Sequence, residues 1–284
     1  MSGAAIEHGE VQVNWIRMHY AAAGAGEPVV LLHGFPESWY SWRHQLTGLS
    51  DRYRVIAPDQ RGYNLTEARP PYDTDTLQAD VLALMDALGI EKAHVVGHDW
   101  GGVIAWLLGM NHGDRLLTLS VCNLPHPAIF RKRVWRPRQL LRSWYVGFFQ
   151  LPRLPELALS AQGYQLLARR MIRECRPGTF TRDDIKEFLA GWRRQGLGGG
   201  INWYRWAVRK PPRIPDPVPL IRVPTLLVWG EEDRYLGREL IDGTEEYVAR
   251  LRVERLPGIS HWVQQEAPDE VNRLLREHFA GGAG

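Results

Sequence analysis

Val95-Val96-Gly97-His98-Asp99-Trp100-Gly101-Gly102 decides the reading of this chain. A short apolar run enters a turn in which small residues flank an acid, and an apolar helical pattern through Val103, Ile104 and Leu107 begins at once. Glycines at 97 and 101 let the backbone turn sharply and let strand and helix pack closely. Asp99 is thereby held above the strand end, in the turn geometry that presents a nucleophile. The plainer role for such an Asp is a helix cap; the flanking glycines and the preceding strand argue against it. A carboxylate in that place attacks a tetrahedral carbon bearing a leaving group and forms an ester with it. It is poorly suited to attacking a carbonyl.

Outward from this turn the chain alternates. Apolar strand-like runs at 29–32, 54–57, 94–96, 117–122, 225–229 and 253–256 are separated by helical patterns at 42–49, 77–88, 103–107, 240–251 and 268–279. Two short alternating strands are expected within 11–20, with Gly24 and Gly26 marking a turn. Strands interleaved with helices in this way predict an α/β fold with a mainly parallel sheet flanked by helices. Residues 129–215 break the pattern: they hold no convincing buried strand but many Arg, Leu and Trp at helical spacings, and the chain then runs through five prolines between 210 and 219. A proline-rich stretch of that kind is a stiff extended connection. The expected organisation is a first core part at 1–128, a helical cap inserted at 129–215 and a second core part at 216–284.

Of the 284 residues 44% are hydrophobic and 24% charged, which excludes disordered, collagenous and fibrous classes. No apolar run is long enough to span a bilayer, and the first thirty residues lack signal-peptide zones. Cys122 and Cys175 cannot build a disulfide framework and have no metal-ligand spacing around them. A soluble cytoplasmic protein is the expectation. The net charge of +3 is too mild for nucleic acid, yet it is unevenly spread: residues 129–176 hold eleven Lys or Arg against two acids, Glu156 and Glu174. Such a run is ordinarily the solvated face of a few helices. The sharper and minor reading is a basic, Trp-containing surface for anionic lipid or an anionic substrate tail.

Hydrolysis of an ester on Asp99 needs a base for water and donors for the developing oxyanion. His261, in Leu256-Pro257-Gly258-Ile259-Ser260-His261-Trp262, falls just past the last strand. Asp233, in Trp229-Gly230-Glu231-Glu232-Asp233, falls just past the preceding one, 28 residues upstream, a separation that fits one strand–helix–strand unit. Asp233 would orient the His261 imidazole and stabilise its cation, with Glu231 and Glu232 open as substitutes. The backbone N–H groups of Phe35, in His33-Gly34-Phe35-Pro36, and of Trp100 are the expected oxyanion hole. His33 is expected to brace its loop.

His33 to Arg43 (His-Gly-Phe-Pro-Glu-Ser-Trp-Tyr-Ser-Trp-Arg) and Gly97 to Gly102 resemble the epoxide hydrolases of the α/β-hydrolase superfamily, and the likeness runs over nearly the whole chain. Asp59-Gln60-Arg61-Gly62-Tyr63 is similar to a family loop, with Asn64 where a further glycine is usual. The resemblance implies two cap tyrosines that donate hydrogen bonds to the epoxide oxygen. Asn202-Trp203-Tyr204-Arg205 resembles the segment of one. Trp144 to Pro152 resembles that of the other and lands on Tyr145, with Tyr164 as a substitute for Tyr204. An opening epoxide leaves as an alkoxide, and neutral phenols with ordinary pKa near 10 supply the hydrogen bonds it needs.

Three functions are compatible with these residues. The expected one is cofactor-independent hydrolysis of a small apolar epoxide by water to a vicinal diol, with no metal. Haloalkane dehalogenases share the Asp-Trp pair, but they hold the halide with N–H donors, often an Asn side chain at the position of Phe35 or a cap Trp. A non-catalytic, ligand-binding member of the fold would not require Asp99, Asp233, His261 and both tyrosines together. Phe35, Trp100, Trp203 and Trp262, joined by Trp206, are expected to line an aromatic substrate pocket.

Overall fold

The structure, a computed structural model, describes residues 5–282. Strands β1 (Glu7–Val13) and β2 (Ile16–Ala23) form an antiparallel hairpin, and β2 continues antiparallel onto β4 (Tyr53–Pro58). From β4 onward the sheet is parallel: β3 (Glu27–Leu32), β5 (Ala93–His98), β6 (Leu116–Cys122), β7 (Thr225–Gly230) and β8 (Leu251–Leu256) complete the order β1-β2-β4-β3-β5-β6-β7-β8. Strands β5 and β7 are buried at every position. That is why they are continuous apolar runs rather than alternating ones: helices cover both faces.

Helices α1 (Arg43–Leu49), α2 (Thr74–Ala87) and α3 (Trp100–Asn111) connect the early strands. Asp73 caps α2 by accepting from the Thr76 N–H at 3.2 Å. Between β6 and β7 the described chain carries seven helices and no named strand: α4 (Pro127–Arg133), α5 (Pro137–Arg142), α6 (Trp144–Phe148), α7 (Leu154–Ser160), α8 (Gln165–Glu174), α9 (Arg182–Gln195) and α10 (Gly198–Arg209). Helices α11 (Val263–Glu266) and α12 (Pro268–Gly282) end the fold. Leu77, Val81 and Met85 of α2 pack with Ile104 and Leu107 of α3 on one face of the sheet. Leu46 and Leu49 of α1 pack with Leu274, Leu275 and Phe279 of α12 on the other.

One element differs from expectation. The helix predicted at 240–251 is two short 3₁₀ turns, Arg238–Ile241 and Thr244–Glu246. Gly243 between them takes φ 86°, a left-handed conformation that ends a helix.

The helical layer has a core of its own, in which Phe149, Met171, Phe188, Trp192 and Ile201 pack together and meet Trp262. Two indoles fasten it to the sheet. Trp192 Nε1–H donates to the Pro36 carbonyl, and Trp203 Nε1–H donates to that of Arg61 at 3.0 Å. Asn64 adds a third link. It sits at φ 47°, which explains why glycine suits the position, and its side chain donates to Asp59 at 2.9 Å while accepting from Arg194 of α9.

Strand order reverses between β3 and β5, and this is where open α/β sheets bind ligands, at the carboxyl ends of the strands. Register does the rest. Leu32 pairs with Gly97, His98 with Cys122, Cys122 with Val228 and Gly230 with Leu256, so the loops after β3, β5, β6, β7 and β8 emerge along one edge.

Candidate active site

Asp99 lies between β5 and α3 at φ 50° and ψ −120°. A non-glycine residue persists there only where its surroundings over-determine it, and they do. A Cβ on Gly97 would overlap the Gly101 carbonyl, and one on Gly101 the Leu32 carbonyl, so the strand–turn–helix closes to backbone contact. The Asp99 side chain is 14% exposed and lies against Gly34, where a Cβ would also overlap it. Phe35 N–H donates to its Oδ1 at 2.9 Å. The Trp100 N–H opens α3, among the amides that have no intrahelical partner.

His261 Nε2 stands 3.6 Å from Asp99 Oδ2, while its Nδ1–H donates to Asp233 Oδ2 at 2.7 Å. Asp233 Oδ1 accepts from the N–H groups of Tyr235 (2.7 Å) and Leu236 (2.9 Å). Its Oδ2 also accepts from Asn123 Nδ2 at 2.8 Å. Of the three acids left open by the sequence, Asp233 is the one that reaches the imidazole; Glu231 faces Arg255 at 3.8 Å, and Glu232 is exposed. Burial disfavours the His261 cation, but the charge of Asp233 and its hydrogen bond, joined by Asp99, hold the imidazole well above its ordinary 6.5. Burial also pushes both carboxyls up. For Asp99 the His261 hydrogen bond and charge outweigh it, and for Asp233 the His261 charge and the bonds from His261 and Asn123 do, so both lie below the usual carboxylate range.

Several residues around these three carried no expected role. Asn123, just past β6 at φ 44°, exchanges hydrogen bonds with Gly230 and so fixes the β7 loop from which Asp233 projects. An Asn after the last apolar residue of a central strand was the only signal for it. His98 bridges Glu37 Oε2 (2.8 Å) and the His261 carbonyl (2.8 Å), and Glu37 Oε1 accepts from Gln264 and Gln265. One buried polar network thus joins the loops after β3, β5 and β8. His33 is buried as a brace, its ring nitrogens meeting the Gly34 carbonyl and the Gln60 N–H.

Above Asp99 a pocket is lined by Phe35, Tyr145, Phe148, Phe149, Tyr204, Tyr235, His261 and Trp262, together with Trp144, Leu167 and Met171. Tyr145 and Tyr204 meet edge to face at 5.8 Å between centroids, and Tyr204 also meets Phe35 (5.4 Å) and Trp100 (5.0 Å). Burial, then the Asp99 charge, push both phenols above their ordinary 10, so both stay protonated. Tyr164, the substitute for Tyr204, instead faces Trp192 at 6.1 Å and is not in the pocket lining.

The expected aromatic wall exists, but part of its membership is corrected. Phe35 and Trp262 line the pocket; Trp100, Trp203 and Trp206 do not. Trp203 is 1% exposed in the core beneath, where its N–H is committed to Arg61, and Trp100 packs between it and Tyr204. On α10 only the Tyr204 side chain turns toward the cavity. The wall comes instead from Trp144, Phe148 and Phe149 around Tyr145, and from Tyr235, whose ring lies 5.1 Å from that of His261.

Comparison with known proteins follows the same lines. Residues 27–268 match the family model described as the alpha/beta hydrolase fold. The chain is 41% identical over 277 residues to the AB hydrolase superfamily protein YfhM of Bacillus subtilis, covering 95% of this chain and 96% of that one. It is 40% identical over 273 residues to epoxide hydrolase 4 of Mus musculus, covering 92% of this chain and 75% of that one. A crystal structure of a Bacillus megaterium epoxide hydrolase in complex with an inhibitor superimposes with a TM-score of 0.88 at 28% identity, covering 96% of this chain and all of that one. An α/β-hydrolase is therefore the class that fold and site define. The chain belongs to that family, in its epoxide hydrolase branch.

Proposed function

We propose that this chain opens an apolar epoxide to a vicinal diol through a covalent ester on Asp99. The observation that carries the reading is the Asp99 carboxylate, held between Phe35 N–H and His261 at the floor of an aromatic pocket that also presents two protonated phenols. In the first step Asp99 Oδ2 attacks an epoxide carbon, the C–O bond breaks, and the freed oxygen, hydrogen-bonded by Tyr145 and Tyr204, takes a proton from one of them and leaves it as a phenolate. In the second, His261 takes a proton from water, and the hydroxide adds to the ester carbonyl carbon while the Phe35 and Trp100 amides receive the oxyanion. Collapse breaks the ester C–O bond, the proton on His261 passes to the departing oxygen, the adduct's hydroxyl proton returns to the phenolate through solvent, and the diol leaves with the carboxylate restored. Asp233 keeps the imidazole oriented and balances its charge. Residues 129–215 act as the cap, supplying the tyrosines and the apolar wall.

The electrostatics order the steps. In the resting site the Asp99 charge helps to keep His261 protonated. Esterification removes that charge, so the imidazole becomes a better base when water must be activated. The pocket residues favour aryl or long-chain alkyl epoxides. Dehalogenation draws less support, since Phe35 carries no side-chain donor and the cap indoles Trp192 and Trp203 donate to backbone carbonyls, which leaves Trp144 as the cap indole on the lining.

The test is intact-protein mass spectrometry of His261→Gln after exposure to epoxides and to haloalkanes. An adduct of the whole epoxide mass, located on Asp99 after digestion, is expected. An adduct equal to an alkyl group without its halogen would replace the reading with dehalogenation.

A further inference from the structure

Nine of the fourteen large apolar side chains exposed in the described residues fall between 135 and 172. Trp135 (75% exposed), Leu141 (76%) and Trp144 (58%) lie on and beside α5 and α6; Leu154, Leu157 and Ile172 lie on α7 and α8. The other five, Trp15, Leu65, Val208, Leu220 and Val253, are single residues far apart in the sequence, as on any surface. Interleaved with the cluster are the eleven cations of 129–176. The two acids there are already taken, Glu156 by Arg205 and Glu174 by Arg170. Among the described residues none of the other ten cations has a carboxylate within 4.0 Å.

A solvated helix face accounts for the charges but not for the tryptophans and leucines. Aromatic and aliphatic side chains set among unpaired cations match an anionic bilayer, with headgroups for the arginines and the acyl boundary for the rings. The phosphate ribbon of a nucleic acid offers no place for Leu141, Leu154 and Leu157. Two residues of this stretch reach the pocket: Trp144 and Arg170 both line it and are both about half exposed.

We propose that the face built by α4 to α8 docks on an anionic lipid surface and turns the pocket mouth toward the bilayer in which apolar epoxides dissolve. The docking stands on the surface alone; the purpose given to it rests on the epoxide reading.

The full chain is sedimented with vesicles of phosphatidylcholine and with vesicles in which phosphatidylserine replaces three lipids in ten. Binding is expected only to the second and is lost at high salt. Arg131→Gln, Arg136→Gln and Arg138→Gln together weaken it about 100-fold, at about fivefold per cation. Trp135→Ser with Leu141→Ser weakens it as well, and both variants keep wild-type turnover of a small water-soluble epoxide, which reports an intact fold. Equal binding to both vesicles, binding to neither, or preferential capture of duplex DNA overturns the proposal. So does a light-scattering mass showing a dimer that Trp135→Ser with Leu141→Ser dissociates, because a second copy would then cover the face. A chain that turns over epoxide but ignores vesicles loses this inference alone. One that binds vesicles but opens no epoxide loses the functional reading and keeps the surface.

Discussion

Asp233 and Tyr204 are held in place by opposite means. At the sheet edge Asp233 accepts four hydrogen bonds, from His261, Asn123, Tyr235 and Leu236, in a loop whose register is set by strand pairing. In the helical layer Tyr204 is fixed by ring contacts with Phe35, Trp100, Tyr145 and Phe149. A polar network of that kind has one geometry, and losing a member strands a buried charge. Aromatic packing is shared among several neighbours, so it survives substitution with altered shape. The sheet edge is suited to holding chemistry constant and the helical layer to changing what it acts on.

The largest effect that probes this contrast is on the nucleophile: Asp99→Ala should lower steady-state turnover roughly 10⁴-fold or more and abolish adduct formation in single-turnover mass spectra. Normal turnover by that variant would remove the scheme. His261→Gln is expected to slow diol release by about 10³-fold while ester accumulates, a split that stopped-flow kinetics resolves. In the wild type the two half-reactions should respond differently to pH. Ester formation stays flat across neutral pH, because Asp99 titrates below the usual carboxylate range and the phenols above 10. Ester hydrolysis rises with pH as His261 gives up its proton.

On the helical side, Tyr145→Phe and Tyr204→Phe should each slow ester formation about 10²-fold and leave its hydrolysis unchanged. Asn123→Ala returns the comparison to the sheet edge with a smaller effect. Removing one donor from an ionised buried carboxylate costs about 1–3 kcal/mol, read as a lowered melting temperature together with about a tenfold loss in kcat. If Asn123→Ala proved neutral, the network would be less rigid than its hydrogen bonds imply. The smallest effect is expected at Asn64→Gly, which relieves the left-handed backbone but gives up the bonds to Asp59 and Arg194. Its stability change should stay within about 1 kcal/mol, with turnover unaltered.

The same contrast explains what could be read from the amino acids. The positions of Asp99, His261, Asp233 and the Phe35 amide were legible because each follows a strand, and parallel pairing carries strand ends to a common edge. Phe149 and Trp144 were not, because which face of a short helix meets the cavity depends on how seven helices pack, and Tyr235 was not, because it sits in the irregular loop after β7. Trp203 shows the failure plainly: it stands beside Tyr204 in sequence yet points into the core, since adjacent residues on a helix diverge by about 100°. The missing helix at 240–251 has a local cause in Gly243, whose left-handed turn outweighed the apolar spacing around it.

The hydrogen bond from Phe35 to Asp99 Oδ1 gives the two oxygens of one carboxylate different surroundings. On the proposed mechanism Oδ2, the atom facing His261, would become the ester's bridging oxygen and depart in the diol, so that each cycle would replace it with an oxygen from water. Oδ1, which accepts from the Phe35 N–H, would stay tethered through ester, tetrahedral adduct and product. After many turnovers in heavy-oxygen water the peptide containing Asp99 should carry one heavy atom and not two, a lasting isotopic asymmetry written by a single backbone amide.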